Sequence, residues 1–375
     1  MIDDRLARAA LSRLTEPADL RVANALAQVG AIGLYEHILA CRAQDGLGAD
    51  AAVRLETVDP ARELEQAERL GIRFVIPGDA EWPSQLDDLA HSEPVSELGG
   101  VPLGLWVRGP LGLDQLVEST AIVGSRTSTT YGEHVAREVA AGVARAGHCV
   151  VSGAAFGIDQ AAHRGALALD HPSVAVLACG VDRPYPSAHR SLIDHMAQVG
   201  AVVSEVPLGC APLKVRFLAR NRLIAALTRG TVLVEAAIRS GALNTAGWAE
   251  SLSRPLMGVP GPVTSAQSQG VHLWIRRGAA SLVTGPQDVL EVIGGMGDHL
   301  LEPPREPQRP RDRLNRRHHR VLEAVPVHQP APLASIAATA GVGLLEVQGA
   351  LTYLATQGFV VRAGAGWRLA EAARP

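Results

Sequence analysis

Two stretches concentrate residues able to handle an anion. "AIVGSRTSTTYG" (121–132) is apolar up to Val123, breaks at Gly124, and then offers Ser125 and Arg126 ahead of a helix-forming run. "LKVRFLARNR" (213–222) sets Lys214, Arg216, Arg220 and Arg222 around Phe217, with Asn221 between the last two arginines. The loop that carries it, "SEVPLGCAPLKVRFLARNR" (204–222), contains no acid after Glu205 to neutralise these cations. Four cations interleaved with one ring suit a flexible polyanion, because the cations meet phosphates while the ring stacks on a base.

Other loops add to this pair. "SGAAFGID" (152–159) offers Ser152 and Gly153, whose backbone N–H groups can converge on an anion, and the helix after it adds partial positive charge. Asp159 reads as a helix N-cap or as part of that loop, and His163 lies four residues on, spaced for an acid–base pair or for an ordinary cap contact. "EAAIRSGALNTA" (235–246) supplies the hydroxyls of Ser240 and Thr245 and the amides around Gly241. Glu235 has no catalytic partner in sequence reach, which favours a loop-organising role over that of a general base. Tyr185-Pro186 is a rigid aromatic turn, read as a packed lid.

These loops need a scaffold that brings them to one edge. Six segments, "STAIVG", "HCVVSG", "SVAVLACG", "AVVSEV", "TVLVEA" and "PLMGVPG", are continuously apolar, as strands buried on both faces must be, and helical stretches separate them. The pattern predicts a doubly wound, mostly parallel sheet with its site beyond the strand C-terminal ends. The expected organisation is an all-α domain over 1–75, a Rossmann-like domain over 76–296, a Pro/Arg-rich linker over 297–313 and a winged helix over 314–375. Gly30, between two helical stretches, resembles a helix-hairpin-helix turn, and a small packing bundle is the alternative. The last segment reads as three helices and a β-hairpin.

Composition narrows the function classes. At 375 residues the chain is long for one core, and an apolar share of 47% is ample for burial. The longest apolar runs fall short of the roughly 18 residues that a membrane span needs. The charged N-terminus lacks a signal-peptide core, so a cytoplasmic protein is expected. Cys41, Cys149, Cys179 and Cys210 are scattered, without metal-ligand spacing, and read as reduced thiols. GxxxxGK[ST] is absent and no strand is followed by GxGxxG, which disfavours an ATPase or a dinucleotide dehydrogenase, and no cofactor is expected.

Together, GSR at 124–126, SGxAxGID at 152–159 with His163, CGxDxxYP at 179–186, SE at 204–205, FxxRNR at 217–222, VEAxxxSGxLxTA at 234–246 and PG at 260–261 resemble the DprA (Smf) family, the DNA-processing protein of natural transformation. The resemblance covers about 80–285. It implies an extended Rossmann-like domain that binds single-stranded DNA, dimerises and helps load RecA recombinase, without catalysis. It also implies an N-terminal domain of the sterile-alpha-motif type and a C-terminal winged helix. Family DNA contacts carry over to Arg126, the Ser152-Gly153 loop, Lys214 and Phe217. The sequence departs from the family pattern at Phe156, where many members have arginine, in "QGVHLWIRRGA" (269–279), and in a less proline-rich approach to FxxRNR.

The favoured reading is therefore a non-sequence-specific single-strand binder. Two rivals stand beside it. A nucleotide phosphoribohydrolase would need a PGGxGTxxE motif, which "VPGPVTSAQ" does not supply. A winged-helix regulator of duplex DNA would draw on 305–320, with seven arginines against two acids.

Overall fold

The computed structural model describes residues 2–40, 51, 54, 58–295, 298–299 and 310–371, which fall into two compact units, Met1–Leu301 and Glu302–Pro375. Cys41 and most of the expected linker lie outside the described residues.

The first unit is built on a nine-stranded sheet: β1 (Ile72–Val75), β2 (Leu105–Arg108), β3 (Ser119–Val123), β4 (Cys149–Ser152), β5 (Ser173–Val176), β6 (Ala201–Ser204), β7 (Gly230–Leu233), β8 (Leu256–Gly258) and β9 (Ser281–Leu282), in the order β1-β2-β6-β5-β4-β3-β7-β8-β9. From β6 to β9 all pairings are parallel, while β1 pairs antiparallel with β2 and β2 with β6. All six strands expected from the sequence are present. Along β3 the side chains alternate between two cores, Ala121 and Val123 facing one and Ile122 the other, so a strand covered on both faces reads as one apolar run.

Helices α4 (Thr130–Arg145), α5 (Ile158–Leu167) and α10 (Pro286–Ile293) supply Val139, Val143, Ile158 and Ile293 to the second of these cores. Helices α7 (Lys214–Ala226) and α8 (Ala242–Ser251) supply Leu223, Ile224 and the fully buried Trp248 to the first. The order of strands reverses between β3 and β7, and this switch point is where an open α/β sheet leaves a crevice. Helices α6 (Arg190–Val199) and α9 (Ala266–Arg276) complete the crossovers.

At the N-terminus, α1 (Asp4–Leu14), capped by Asp3 with Leu6 N–H donating at 2.8 Å, and α2 (Leu20–Ala40) form a small core of their own around Leu11, Leu14, Leu34 and Ile38. Gly30, at φ 70° and ψ 175°, breaks α2 into two helical pieces, which fits the hairpin and the packing-bundle readings alike. α3 (Pro60–Arg69) then leads into β1. The helical texture thus ends at Arg69, and Ile72–Val75 is a strand of the sheet. β1, β2 and β9 were not expected: they are short, and β1 and β2 each carry an arginine.

The second unit packs α11 (Arg316–Glu323), α12 (Leu333–Ala340) and α13 (Leu344–Thr356) around Val321, Ile336, Val347, Leu351 and Leu354. β10 (Val360–Ala363) and β11 (Gly366–Leu369) form an antiparallel hairpin, and Ala331 bridges Trp367 as a short third strand. α12 and α13 meet at 103° across Gly341, whose φ of 59° and ψ of 43° terminate α12. Three helices, a sharp helix–turn–helix and a wing are the arrangement expected from the sequence. Among the described residues, no single helix is long and apolar enough to cross a membrane.

Candidate nucleic-acid interface

The loops after β3 and β7 and the amino-terminal half of α7 enclose a cleft of ≈ 670 Å³ at the switch point. Nine of the thirteen residues singled out in the sequence line it: Gly124, Ser125, Arg126, Lys214, Phe217, Arg220, Asn221, Ser240 and Gly241.

The loop after β3 is rigid. Ser125 N–H donates to the Glu235 carbonyl at 2.7 Å, and the buried Glu235 carboxylate accepts from Thr129 N–H at 2.8 Å and Thr129 Oγ at 2.5 Å. Glu235 is thus the brace of the loop, and Thr129 in turn caps α4 by accepting from Gly132 N–H at 3.1 Å. Gly157, at φ 76°, lets the next loop press against this one: a Cβ there would fall 2.3 Å from the Ser125 carbonyl oxygen. Arg126 therefore leaves a fixed backbone. It is exposed, its guanidinium carbon lies 4.9 Å from the centroid of the Phe217 ring, and among the described residues it has no carboxylate partner. Lys214, the first residue of α7, is also exposed, and among the described residues it has no carboxylate partner.

Beneath Phe217 lies Arg220. It is 6% exposed, donates to the Val176 carbonyl at 2.9 Å, and sits 6.0 Å from the same ring. Burial lowers its pKa, partly offset by Asp159, and Arg126 lowers it further. Its Nε has no partner among the described residues. Gly153 makes room for it, since a Cβ at that position would fall 1.5 Å from Arg220 Nη1. Asp159 is no N-cap: that place belongs to Gly157, and the Asp159 carboxylate reaches back to Gly153 N–H at 3.2 Å and Ala155 N–H at 3.4 Å. Burial raises its pKa against the pull of Arg220.

Four of the residues expected to touch an anion do not line the cleft. Arg222 is fully buried and bound to both oxygens of Glu205, at 2.7 and 2.6 Å, with a further bond to the Gly100 carbonyl at 3.1 Å. Arg216 is gripped by Glu16 at 2.8 and 2.9 Å and closes onto the Ala211 carbonyl at 2.7 Å. Two of the four cations therefore have acids after all, one just after β6 and one from the turn after α1. Ser152 is buried and donates to the Ile122 carbonyl at 2.6 Å, and Gly153 serves Arg220 and Asp159. Asn221 joins the rim to α8, donating to Asn244 Oδ1 at 3.2 Å and more weakly to the Gly241 carbonyl at 3.4 Å. Ser240 Oγ accepts from Ala242 N–H at 3.3 Å.

His163 is packed against Ser173 Oγ at 2.8 Å, with burial pushing its pKa down to about 3, so it is a neutral core residue. Tyr185 is exposed at the rim, its ring 5.8 Å from Phe217. Arg239 went unrecognised in the sequence: it is exposed, lines the cleft, and has no carboxylate partner among the described residues. Its signal was position, since it immediately precedes Ser240-Gly241 in a loop that leaves the same sheet edge.

A doubly wound sheet whose switch point holds a cleft rimmed by Arg126, Lys214 and Arg239, none of them paired with a carboxylate among the described residues, defines a Rossmann-like protein with a cationic cleft. Residues 73–294 match the family described as DNA recombination-mediator protein A. The chain is 40% identical over 376 residues to the putative DNA processing protein DprA of Mycobacterium tuberculosis (strain ATCC 25618 / H37Rv), covering 97% of this chain and 96% of that one. It therefore belongs to the DNA recombination-mediator protein A family. The X-ray structure of DNA processing protein A from Streptococcus pneumoniae superposes with a TM-score of 0.63 at 32% identity, covering 77% of this chain and 98% of that one. DNA processing protein A from Helicobacter pylori, a structure reported for its single-stranded DNA binding mode, gives 0.50 at 27% identity over 58% of this chain and 94% of that one.

Proposed function

We propose that this protein binds single-stranded DNA without sequence specificity in the switch-point cleft, and that it acts in the cytoplasm as a homodimer that protects incoming strands and presents them to a RecA recombinase during natural transformation. The observation that carries the reading is the Arg126 guanidinium lying 4.9 Å over Phe217, with Lys214 and Arg239 around the same cleft and without carboxylate partners among the described residues. Fixed cations beside a ring take successive phosphates and stack one base between them. Such contacts carry little sequence information. The single-strand binding reported for the Helicobacter pylori relative supports the same reading.

The rivals find less support. Glu235, the carboxylate considered as a general base, is engaged by Thr129, and His163 is buried against Ser173. α13, which would enter a major groove, carries Glu346 as its only charged residue, and a helix without Lys or Arg is poorly equipped to approach a duplex. Gel shifts on single-stranded and duplex DNA across a salt series test the proposal. Strong preference for the single strand, weakening steeply with salt, is expected. Tighter binding to duplex would contradict it, as would release of free base from a nucleoside monophosphate that is lost in Glu235→Gln.

A further inference from the structure

Beyond Lys214 the cleft opens into a second groove of ≈ 430 Å³, lined by Ser96, Glu97, Leu98, Lys214, Val215 and Leu218. Lys214 and Leu218 border both spaces, so a strand that leaves Phe217 past Lys214 enters this groove next. The outer wall is a turn of unusual backbone. Val95 N–H donates to the Leu98 carbonyl at 3.1 Å and Leu98 N–H to that of Val95 at 3.2 Å, and the two central residues, Ser96 and Glu97, have φ of 55° and 63°. Successive left-handed residues make a type I′ turn, for which Asn-Gly is the favoured pair, so a serine and a glutamate are held there against their preference.

The turn is fixed from three sides. Leu98 bridges Asp19, Ser251 Oγ donates to the Glu93 carbonyl at 2.7 Å, and Asn244 Nδ2 donates to Ser96 Oγ at 3.2 Å. Asn244 also accepts from Asn221, a residue of the main cleft, so a chain of hydrogen bonds links the wall of the groove to the rim of the cleft. Glu97 is exposed on this wall, and among the described residues neither a cation nor a hydrogen-bond donor engages its carboxylate.

A carboxylate on a strand path repels phosphates but suits the donor edge of a base. Guanine offers two adjacent donors, N1–H and N2–H, to the two carboxylate oxygens. Thymine and hypoxanthine each offer one. Leu98, Val215 and Leu218 give the base an apolar bed, and Lys214 meets the phosphate at the entrance. We infer that this groove is a nucleotide subsite adjoining Phe217 that favours guanine, with Glu97 reading its Watson–Crick edge. The subsite rests on the single-strand reading above and adds a local preference to an otherwise sequence-tolerant track.

Fluorescence anisotropy on the full-length protein tests it with three oligonucleotides of about 20 nucleotides, longer than one site: oligo(dT), alternating thymine and guanine, and alternating thymine and hypoxanthine. The guanine oligomer is expected to bind about three- to tenfold more tightly than either of the others. Glu97→Gln lowers its affinity to that of the hypoxanthine oligomer, and raises oligo(dT) affinity by up to about threefold as a negative charge leaves the phosphate path. Equal binding of all three by the unaltered protein would overturn the subsite alone, and so would a loss in Glu97→Gln common to all three, the mark of a merely structural turn. Failure of all three to bind would overturn the single-strand reading and the subsite with it.

Discussion

Arg126 and Arg222 carry the same guanidinium and end in opposite situations. Arg222 is 0% exposed and both its terminal nitrogens are held by Glu205, so its work is internal: it ties α7 to the end of β6 and to the Gly100 carbonyl. Removing one member of such a buried pair strands the other charge, and Glu205→Ala is expected to cost about 3–5 kcal/mol, read as a shift of the chemical denaturation midpoint. A loss under about 1 kcal/mol would mean that water reaches Arg222. Arg126 has no such partner among the described residues, and its guanidinium lies at the surface over Phe217. The sequence made the cationic character of 213–222 legible, because charge is a local property. It could not tell free cations from paired ones, because the neutralising acid of Arg216 is Glu16, 200 residues away along the chain.

At the scale of elements, α7 brings Lys214, Phe217, Arg220 and Asn221 to the cleft and is anchored near its amino end. Its amino end has no side-chain cap of its own, and Arg216 secures that turn by binding Glu16 and the Ala211 carbonyl together. Burial pushes the Glu16 carboxyl up, but the hydrogen bonds and charges of Arg216 and Arg54 outweigh it and leave the pKa below its usual value of 4.5. A depressed carboxyl stabilises the fold above its unfolded value, and that contribution fades as pH falls through the lower folded one. Glu16→Gln is therefore expected to lose about 1–3 kcal/mol at neutral pH and to be less sensitive than the unaltered protein to acid below pH about 4.5, measured by thermal unfolding across pH. Parallel acid curves would show that the contact contributes nothing. The six core strands were legible because burial on both faces writes a continuous apolar run. β1 and β2 were not, since four residues with one arginine each carry no such signature.

At the scale of the whole molecule, the chain divides into two units with separate cores, the first holding every residue that lines the cleft. The chain without residues 302–375 is expected to fold cooperatively and to keep single-strand affinity within about threefold of full length. A loss beyond about tenfold would move the binding surface into the second unit. The most direct measurement is the salt dependence of oligo(dT) binding by the unaltered protein, Arg126→Ala and Lys214→Ala. Each substitution should weaken binding to every sequence alike and flatten the slope of log K against log salt by about 0.7, the release of one counterion equivalent from a single strand. Unchanged affinity and slope in both variants would contradict the placement of the strand in this cleft.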